Sequence, residues 1–366
     1  MYDMSVWTVV HQALGEYRSQ TVADLRDQWP AETVWQAPLS FFKEHYPDIP
    51  AQIWEKYFTI RQKADLSLRA QWLQERDIHL IFRGDAEYPV ALEGLYDPPA
   101  LLYCRGRLAP EKLHLAMVGS RKATYYGKEV AERLAAELST ENCVVVSGLA
   151  RGIDAKAHEG ALEGGGGTIG VLGTGIDRVY PRENLPLYKR VAAHQTGAII
   201  SSFPLGAEPK PHHFPRRNRI IAGLCEGLVV VEAAAKSGAL ITANLALDNG
   251  RDVFAVPGMI TSPQSEGCLR LIKDGAKMVC DVNDILEEYG QRSLFDEEDK
   301  AKAPAMNHPQ AAPIMGALSA VPVSLEYLLE ELEMPVEELT ATLSLLMIEG
   351  LVDELPGRQY KKNQCR

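Results

Sequence analysis

VVVSGLARGIDAKAHEGALEGGGGTIGVLGTG, residues 144–175, alternates apolar runs with glycine loops and one helical segment. Val144–Val146 and Ile169–Leu172 are almost continuously apolar, as strands covered on both faces are. Asp154–Leu162 between them reads as a helix. The same unit recurs on either side. Apolar runs at Ala116–Val118, Ala198–Ile200, Leu228–Val231 and Val253–Val256 predict further strands. Lys128–Leu138, Arg216–Leu224 and Ala239–Leu247 predict the helices between them. Strands and helices in alternation, joined by right-handed crossovers, give a Rossmann-like, doubly wound parallel α/β sheet.

Working outward, residues 1–85 read as a helical domain. They hold all five tryptophans, and apolar residues such as Phe41, Phe42 and Tyr46, then Ile53, Tyr57 and Ile60, recur at helical spacing. A Pro-punctuated leading segment, 86–112, opens the sheet domain of 86–289. Residues 290–316 are charged, Pro- and Ala-rich and without period, which predicts a linker. In 317–366, two helical segments followed by LVDELPGRQYKK predict a small winged-helix domain.

Composition excludes several function classes. At 366 residues with 46% apolar and 24% charged content, the chain has the make-up of an ordinary soluble protein with two or three domains. No apolar run reaches the roughly 18 residues that span a bilayer. The N-terminus lacks a basic segment followed by an apolar stretch, so a signal peptide is disfavoured and the cytoplasm is expected. The six cysteines form no CxxC pair, which argues against zinc and thioredoxin-type chemistry. The net charge of −11 is a weak argument against nucleic acid, but its distribution matters more than its sum.

In a parallel α/β sheet the strand-to-helix loops share one edge, where ligands bind. Here those loops carry Gly119-Ser120-Arg121, Ser147-Gly148-Leu149-Ala150-Arg151-Gly152, Gly173-Thr174-Gly175 and Ser237-Gly238. Small residues admit a ligand to the backbone, and N–H groups at helix starts favour anions. Any one of these glycines serves equally well as a tight turn. Four such loops, two with arginines, point to a phosphate site. A P-loop is absent, and Gly173-Thr174-Gly175 lacks the third glycine of a dinucleotide fingerprint. Gly164–Gly167 precedes a strand and reads as a flexible turn.

The sharpest feature is KPHHFPRRNR, residues 210–219. From Glu208 to Arg219, four basic residues and one acid give 4 − 1 = +3. Pro215 suits a first helical turn. Arginines at a helix start oppose the dipole unless an anion arrives or internal ion pairs form. Phe214 and the two histidines offer faces for base stacking, the combination that single strands need. Asp154 and His158 share a helix face, but Asp154 reads as an N-cap rather than a metal ligand. No nucleophile–base pair is recognisable, so no catalytic residue, metal or cofactor is expected.

These residues resemble the DNA-processing protein A family. The resemblance rests on Tyr88-Pro89, Asp97-Pro98-Pro99, Val118-Gly119-Ser120-Arg121, SGLARGID at 147–154, Gly175-Ile176-Asp177 with Tyr180-Pro181, FPRRNRIIAGL at 214–224, VVEAAAKSGALITA at 230–243 and VFAVPG at 253–258. It implies a cytoplasmic, non-enzymatic protein that binds and protects incoming single-stranded DNA and loads the RecA recombinase during natural transformation. It further implies a homodimer through the Rossmann-like domain, a helical N-terminal domain of SAM type and a C-terminal winged helix. The DNA contacts it implies are Gly119, Ser120, Arg121, Arg217, Asn218 and Arg219, with Ser147, Gly148 and Phe214 in the same pocket. Arg151, Ser237 and Gly238 join them from the loop-edge reading, and Lys210 from the basic stretch 210–219. Two departures stand out: Ser202 where many members have Glu, and Leu269 where Asn is usual, the latter near the family's dimer contact.

Two other readings compete with this one. A phosphoribohydrolase-type nucleotide enzyme needs a carboxylate just after Thr242, and SGALITANL supplies none. A sensor that binds a free nucleotide is a second alternative, separable by competition against oligo-dT. The winged-helix region invites duplex binding, yet residues 308–357 contain nine acids and no Lys or Arg. A helix so charged repels phosphates, which predicts a protein-binding or regulatory role.

Overall fold

Six helices open the chain in the computed structural model: α1 (Tyr2–Leu14), α2 (Ser19–Gln28), α3 (Ala31–Gln36), α4 (Leu39–His45), α5 (Ala51–Lys63) and α6 (Leu66–Glu75). Prolines 30, 38 and 50 stand immediately before α3, α4 and α5, where a fixed φ and a missing N–H cost nothing. Asp65 caps α6, accepting from the amides of Ser67 and Leu68 at 2.9 Å. Phe42 stacks on Trp54 at 4.6 Å in the centre of the cluster. The structure describes residues 2–290, 311–319, 322–332, 334–348 and 351–362. They belong to two units, Met1–Ser293 and Leu294–Arg366.

The first unit is built on a nine-stranded sheet of order β1-β2-β6-β5-β4-β3-β7-β8-β9. Its strands are β1 (Ile78–Phe82), β2 (Leu101–Gly106), β3 (His114–Val118), β4 (Val144–Ser147), β5 (Thr168–Val171), β6 (Ala198–Ser201), β7 (Gly227–Val230), β8 (Asp252–Ala255) and β9 (Lys277–Met278). From β6 through β9 all neighbours are parallel. The intervening helices are α7 (Tyr125–Thr140), α8 (Ile153–Gly164), α9 (Leu185–Ala193), α10 (His213–Leu224), α11 (Gly238–Asp248) and α12 (Glu266–Lys273), with α13 (Asn283–Leu286) after β9. Alternate strand residues feed two cores. Ala116, Val146, Ile169 and Val230 pack on one face, and Met117, Val145, Val229 and Phe254 on the other. This two-sided cover is why the strands read as unbroken apolar runs.

Three expectations need correction. β1 lies inside the segment read as helical, and β2 inside the Pro-punctuated leader; β2 joins the sheet antiparallel to β6, and β1 forms its edge antiparallel to β2. The helical segment also shares a core with the sheet, because Val6, Val10 and Trp54 cluster with Tyr103 and Ile199. Residues 1–85 and 86–289 therefore form one unit. Gly164–Gly167 is a packed crossing rather than a flexible turn. A Cβ on Gly166 would lie 1.9 Å from the carbonyl oxygen of Ser139 at the end of α7. The Gly166 amide donates to Ser139 Oγ at 2.7 Å.

The second unit contains α14 (Ala311–Ala317), α15 (Leu325–Leu332) and α16 (Val336–Ile348). They pack on a three-stranded antiparallel sheet of β10 (Val323–Ser324), β11 (Val352–Leu355) and β12 (Gln359–Lys362), a winged-helix arrangement. α14 occupies the end of the segment read as linker; residues 291–310 of that segment lie outside the described residues. Cys104, Cys143, Cys225 and Cys268 are buried, and burial pushes each thiol up to about 12. They are small core residues. Among the described residues no helix is long and apolar enough to cross a membrane.

Candidate nucleic-acid interface

The chain runs outward from β3 through β4 and β5 to β6, then returns to the other flank of β3 as β7. That reversal opens a crevice at the carboxyl ends of β3 and β7, where ligands of such sheets sit. A cleft of ≈ 750 Å³ occupies it. The β3–α7 loop forms one wall, the first turns of α10 a second, and the β7–α11 loop a third.

The β3–α7 loop is clamped from below. A Cβ on Gly119 would lie 2.6 Å from Ile153 and 2.9 Å from the Glu232 carbonyl, so only glycine allows the loop this close to β7. The Ser120 amide donates to that carbonyl at 2.7 Å. The buried Glu232 carboxylate accepts from the Thr124 amide at 2.9 Å and its hydroxyl at 2.6 Å. Thr124 Oγ1 in turn accepts from the Gly127 amide and caps α7. Held this way, the loop leaves Arg121 and Lys122 exposed at the rim.

Across the cleft, the Arg121 guanidinium sits 5.1 Å over the Phe214 ring. The Tyr180 ring lies 5.6 Å from that of Phe214, tilted by 40°. Below them Arg217 is buried and donates to the carbonyls of Gly148 and Val171. Burial, eased by the nearby Asp154 carboxylate, holds its guanidinium down at about 10, so it stays charged at neutral pH. Burial raises the Asp154 carboxyl, and Arg217 and local amides oppose the shift. Asn218 accepts from Arg217 Nε and donates to Thr242 Oγ1 at 2.8 Å, tying α10 to α11. Ser237 caps α11 through the Ala239 amide, and nothing crowds Gly238 beside it. Four cationic side chains, Arg121, Lys122, Arg217 and Lys236, and the one carboxylate of Asp154 line the cleft, a sum of 4 − 1 = +3.

Of the residues singled out from sequence, Gly119, Ser120, Arg121, Phe214, Arg217, Asn218, Ser237 and Gly238 meet in this cleft. Gly148 and Arg151 line a smaller recess beside it, sharing Arg121, Phe214 and Arg217. Arg151 is exposed and ion-paired with Glu183. Three residues lie elsewhere. Ser147 is buried, donating to the Met117 carbonyl at 2.6 Å. Lys210 is exposed before α10 and lines neither cavity. Arg219 turns away to Glu16 at 2.9 Å and to Asp97 at 3.1 Å, and Arg216 does the same at 2.7 Å to each. Internal ion pairs, not a waiting anion, thus satisfy two of the three arginines at this helix start.

Lys122, Lys236 and Tyr180 were missed. The first two sat in plain sight beside Arg121 and Ser237, but Tyr180 reaches the cleft only through the fold. Asp154 is not an N-cap: Gly152, at φ 75°, holds that position, and Asp154 accepts from the Ala150 amide at 3.4 Å. His158 is a core residue, its Nδ1 2.7 Å from Thr168 Oγ1. No cluster of metal ligands occurs among the described residues.

Residues 79–290 match the model of the DNA recombination-mediator protein A family, and residues 298–358 match that of the DprA winged helix domain. The chain is 43% identical over 223 residues to DNA processing protein DprA of Bacillus subtilis, covering 60% of this chain and 74% of that one. The solved structure of DNA processing protein A from Streptococcus pneumoniae superposes with a TM-score of 0.61 at 34% identity, over 78% of this chain and 96% of that one. That of DNA processing protein A from Helicobacter pylori, described for its single-stranded DNA binding mode, gives a TM-score of 0.52 at 29% identity over 58% and 95%.

Proposed function

The chain belongs to the DNA recombination-mediator protein A family, and from that membership and the +3 cleft we propose that it binds single-stranded DNA between β3 and β7. Phosphates meet Arg121, Lys122, Lys236 and the amides of the β3–α7 loop and the α11 start. Bases stack on Phe214 and Tyr180. Arg217 and Asn218 shape the floor, with Gly148 and Arg151 at the adjoining recess. The observation that carries this reading is Arg121 poised over Phe214, a cation and an aromatic face presented together. A non-enzymatic role follows, in which the cytoplasmic protein protects incoming strands and loads the RecA recombinase on them during natural transformation, as a homodimer through the sheet domain. The family resemblance supports that finer role. The test is a gel shift of the full chain with single- and double-stranded DNA, repeated with Arg121→Ala and with free nucleotide as competitor. Preference for the single strand, lost in Arg121→Ala and indifferent to nucleotide, is the expected result. Equal binding of duplex, or displacement by nucleotide, overturns it.

A further inference from the structure

The cleft is not where the cationic and aromatic surface ends. His212 follows Pro211, which lines the cleft, and both are exposed. Its ring lies 6.3 Å from that of Tyr17, in the turn between α1 and α2, and Tyr17 is 53% exposed. The Arg216 guanidinium stacks on the same tyrosine at 4.2 Å, which holds the ring at the surface. Arg18 adjoins Tyr17 in the chain, Lys210 adjoins Pro211, and both are near enough to Lys56 on α5 for their charges to act on it. Lys56 Nζ donates to the Ala13 carbonyl at 3.0 Å, so it is anchored beside this turn with donors to spare. Burial, then the charges of Arg18 and Lys210, hold the Lys56 ammonium below the usual lysine range, a sign of like charges held close. None of the three is ion-paired among the described residues, whereas the neighbouring Arg178, Arg216 and Arg219 all are. Three cations from α5, the α1–α2 turn and the segment before α10 repel one another and have no carboxylate partner among the described residues, although the chain carries a net charge of −11; an anion shared among them relieves that repulsion.

We propose that a single strand leaving the cleft at Pro211 continues across His212 and Tyr17 onto the N-terminal helices, where Arg18, Lys56 and Lys210 take its phosphates. The inference rests on the reading of the cleft as a single-strand site. It makes the helical segment part of the nucleic-acid surface rather than a separate module. Stacking on Tyr17 and His212 would add to each base what single-strand binders gain from aromatic faces.

Length dependence separates the two sites. An oligo-dT of about 6 nucleotides fills the cleft and one of about 20 also reaches the track, both within the usual range of single-strand sites. With three further phosphates, the log–log salt slope of the longer strand is steeper by about 2. Lys56→Glu, at an exposed position, should weaken the longer strand about tenfold and leave the shorter one unchanged. Tyr17→Leu should act in the same direction. An unchanged ratio of the two affinities in both variants, with Arg121→Ala still weakening both strands, overturns the track and leaves the cleft standing. An equal loss on both lengths also overturns it, since that reports only the overall field. Arg121→Ala without effect on either strand removes the cleft reading and the track with it.

Discussion

Arg121 and Arg217 face one cleft with opposite exposures, and their removal should therefore read out differently. Arg121 is exposed, with its guanidinium over the Phe214 ring. Arg121→Ala should cost single-strand affinity and lower the salt slope by about 0.7, with thermal stability changed by no more than about 0.5 kcal/mol. Arg217 is 4% exposed, and its loss strands the Gly148 and Val171 carbonyls. Arg217→Ala should destabilise the fold by about 2–4 kcal/mol on chemical denaturation, whatever it does to DNA. The buried histidines make a second forecast. Burial holds His158 down at about 3, and burial does the same to His11. The folded state thus refuses protons that the unfolded chain accepts below its ordinary histidine pKa of about 6.5. Their contribution to stability is complete above pH 6.5 and is lost as pH falls from there toward 3. At pH 5 the loss should reach about 2 kcal/mol per histidine, and His158→Gln should flatten the urea-midpoint profile between pH 7 and 5.

α10 carries the buried arginine of the cleft, Arg217, and what holds this helix comes from far away in the chain. Glu16, 1% exposed at its side chain, pairs with both Arg216 and Arg219, and the partners in the second pair are 203 residues apart. Ser202, just after β6, donates its hydroxyl to the same carboxylate at 3.1 Å. The resemblance expected an acid at 202; here the acid arrives from the α1–α2 turn instead. Glu16→Ala leaves two part-buried cations with Asp97 alone and should cost about 3–5 kcal/mol. Ser202→Glu added to it should recover part of that loss in a double-mutant cycle, and no recovery would count against the exchange. This element also marks how far sequence reading reached. The six core strands and the glycine loops were legible because period and composition are local. So were Arg121 and Phe214, each inside a recognisable motif. The pairing of Arg219 with Glu16 was not, because nothing local in either segment names the other. β1 and β2 were hidden for a related reason: they are flanked by segments of another character, and only the tertiary pairing of β1 with β2 and of β2 with β6 defines them.

Charge is divided unevenly over the whole molecule, and binding should follow the division. Residues 294–366 hold 6 basic and 13 acidic residues, so 6 − 13 = −7 of the total −11 belongs to the second unit and −4 to the first. Among the described residues of that unit, α16 exposes Val336, Leu345 and Ile348 and carries no cation. Of its basic residues, Lys361 lies 3.9 Å from Asp353, and Arg366, like Glu333 and Glu349, falls outside the described residues. This unit has little to offer a phosphate, and its field opposes the approach of one. A strand short enough to fill only the cleft engages about four phosphates, so its log–log salt slope should be about −0.7 × 4, near −3, and a fourfold rise in salt should weaken binding roughly fifty-fold. Truncation after Ser293 follows the boundary between the units and keeps β1, β2 and the N-terminal helices with the sheet, which a cut near residue 110 would not. The truncated chain should keep that slope, because no contact is lost. Its affinity should be unchanged or higher, because −7 of opposing charge is gone. A shallower slope together with a large loss of affinity would mean that the second unit contributes phosphate contacts of its own, against its composition.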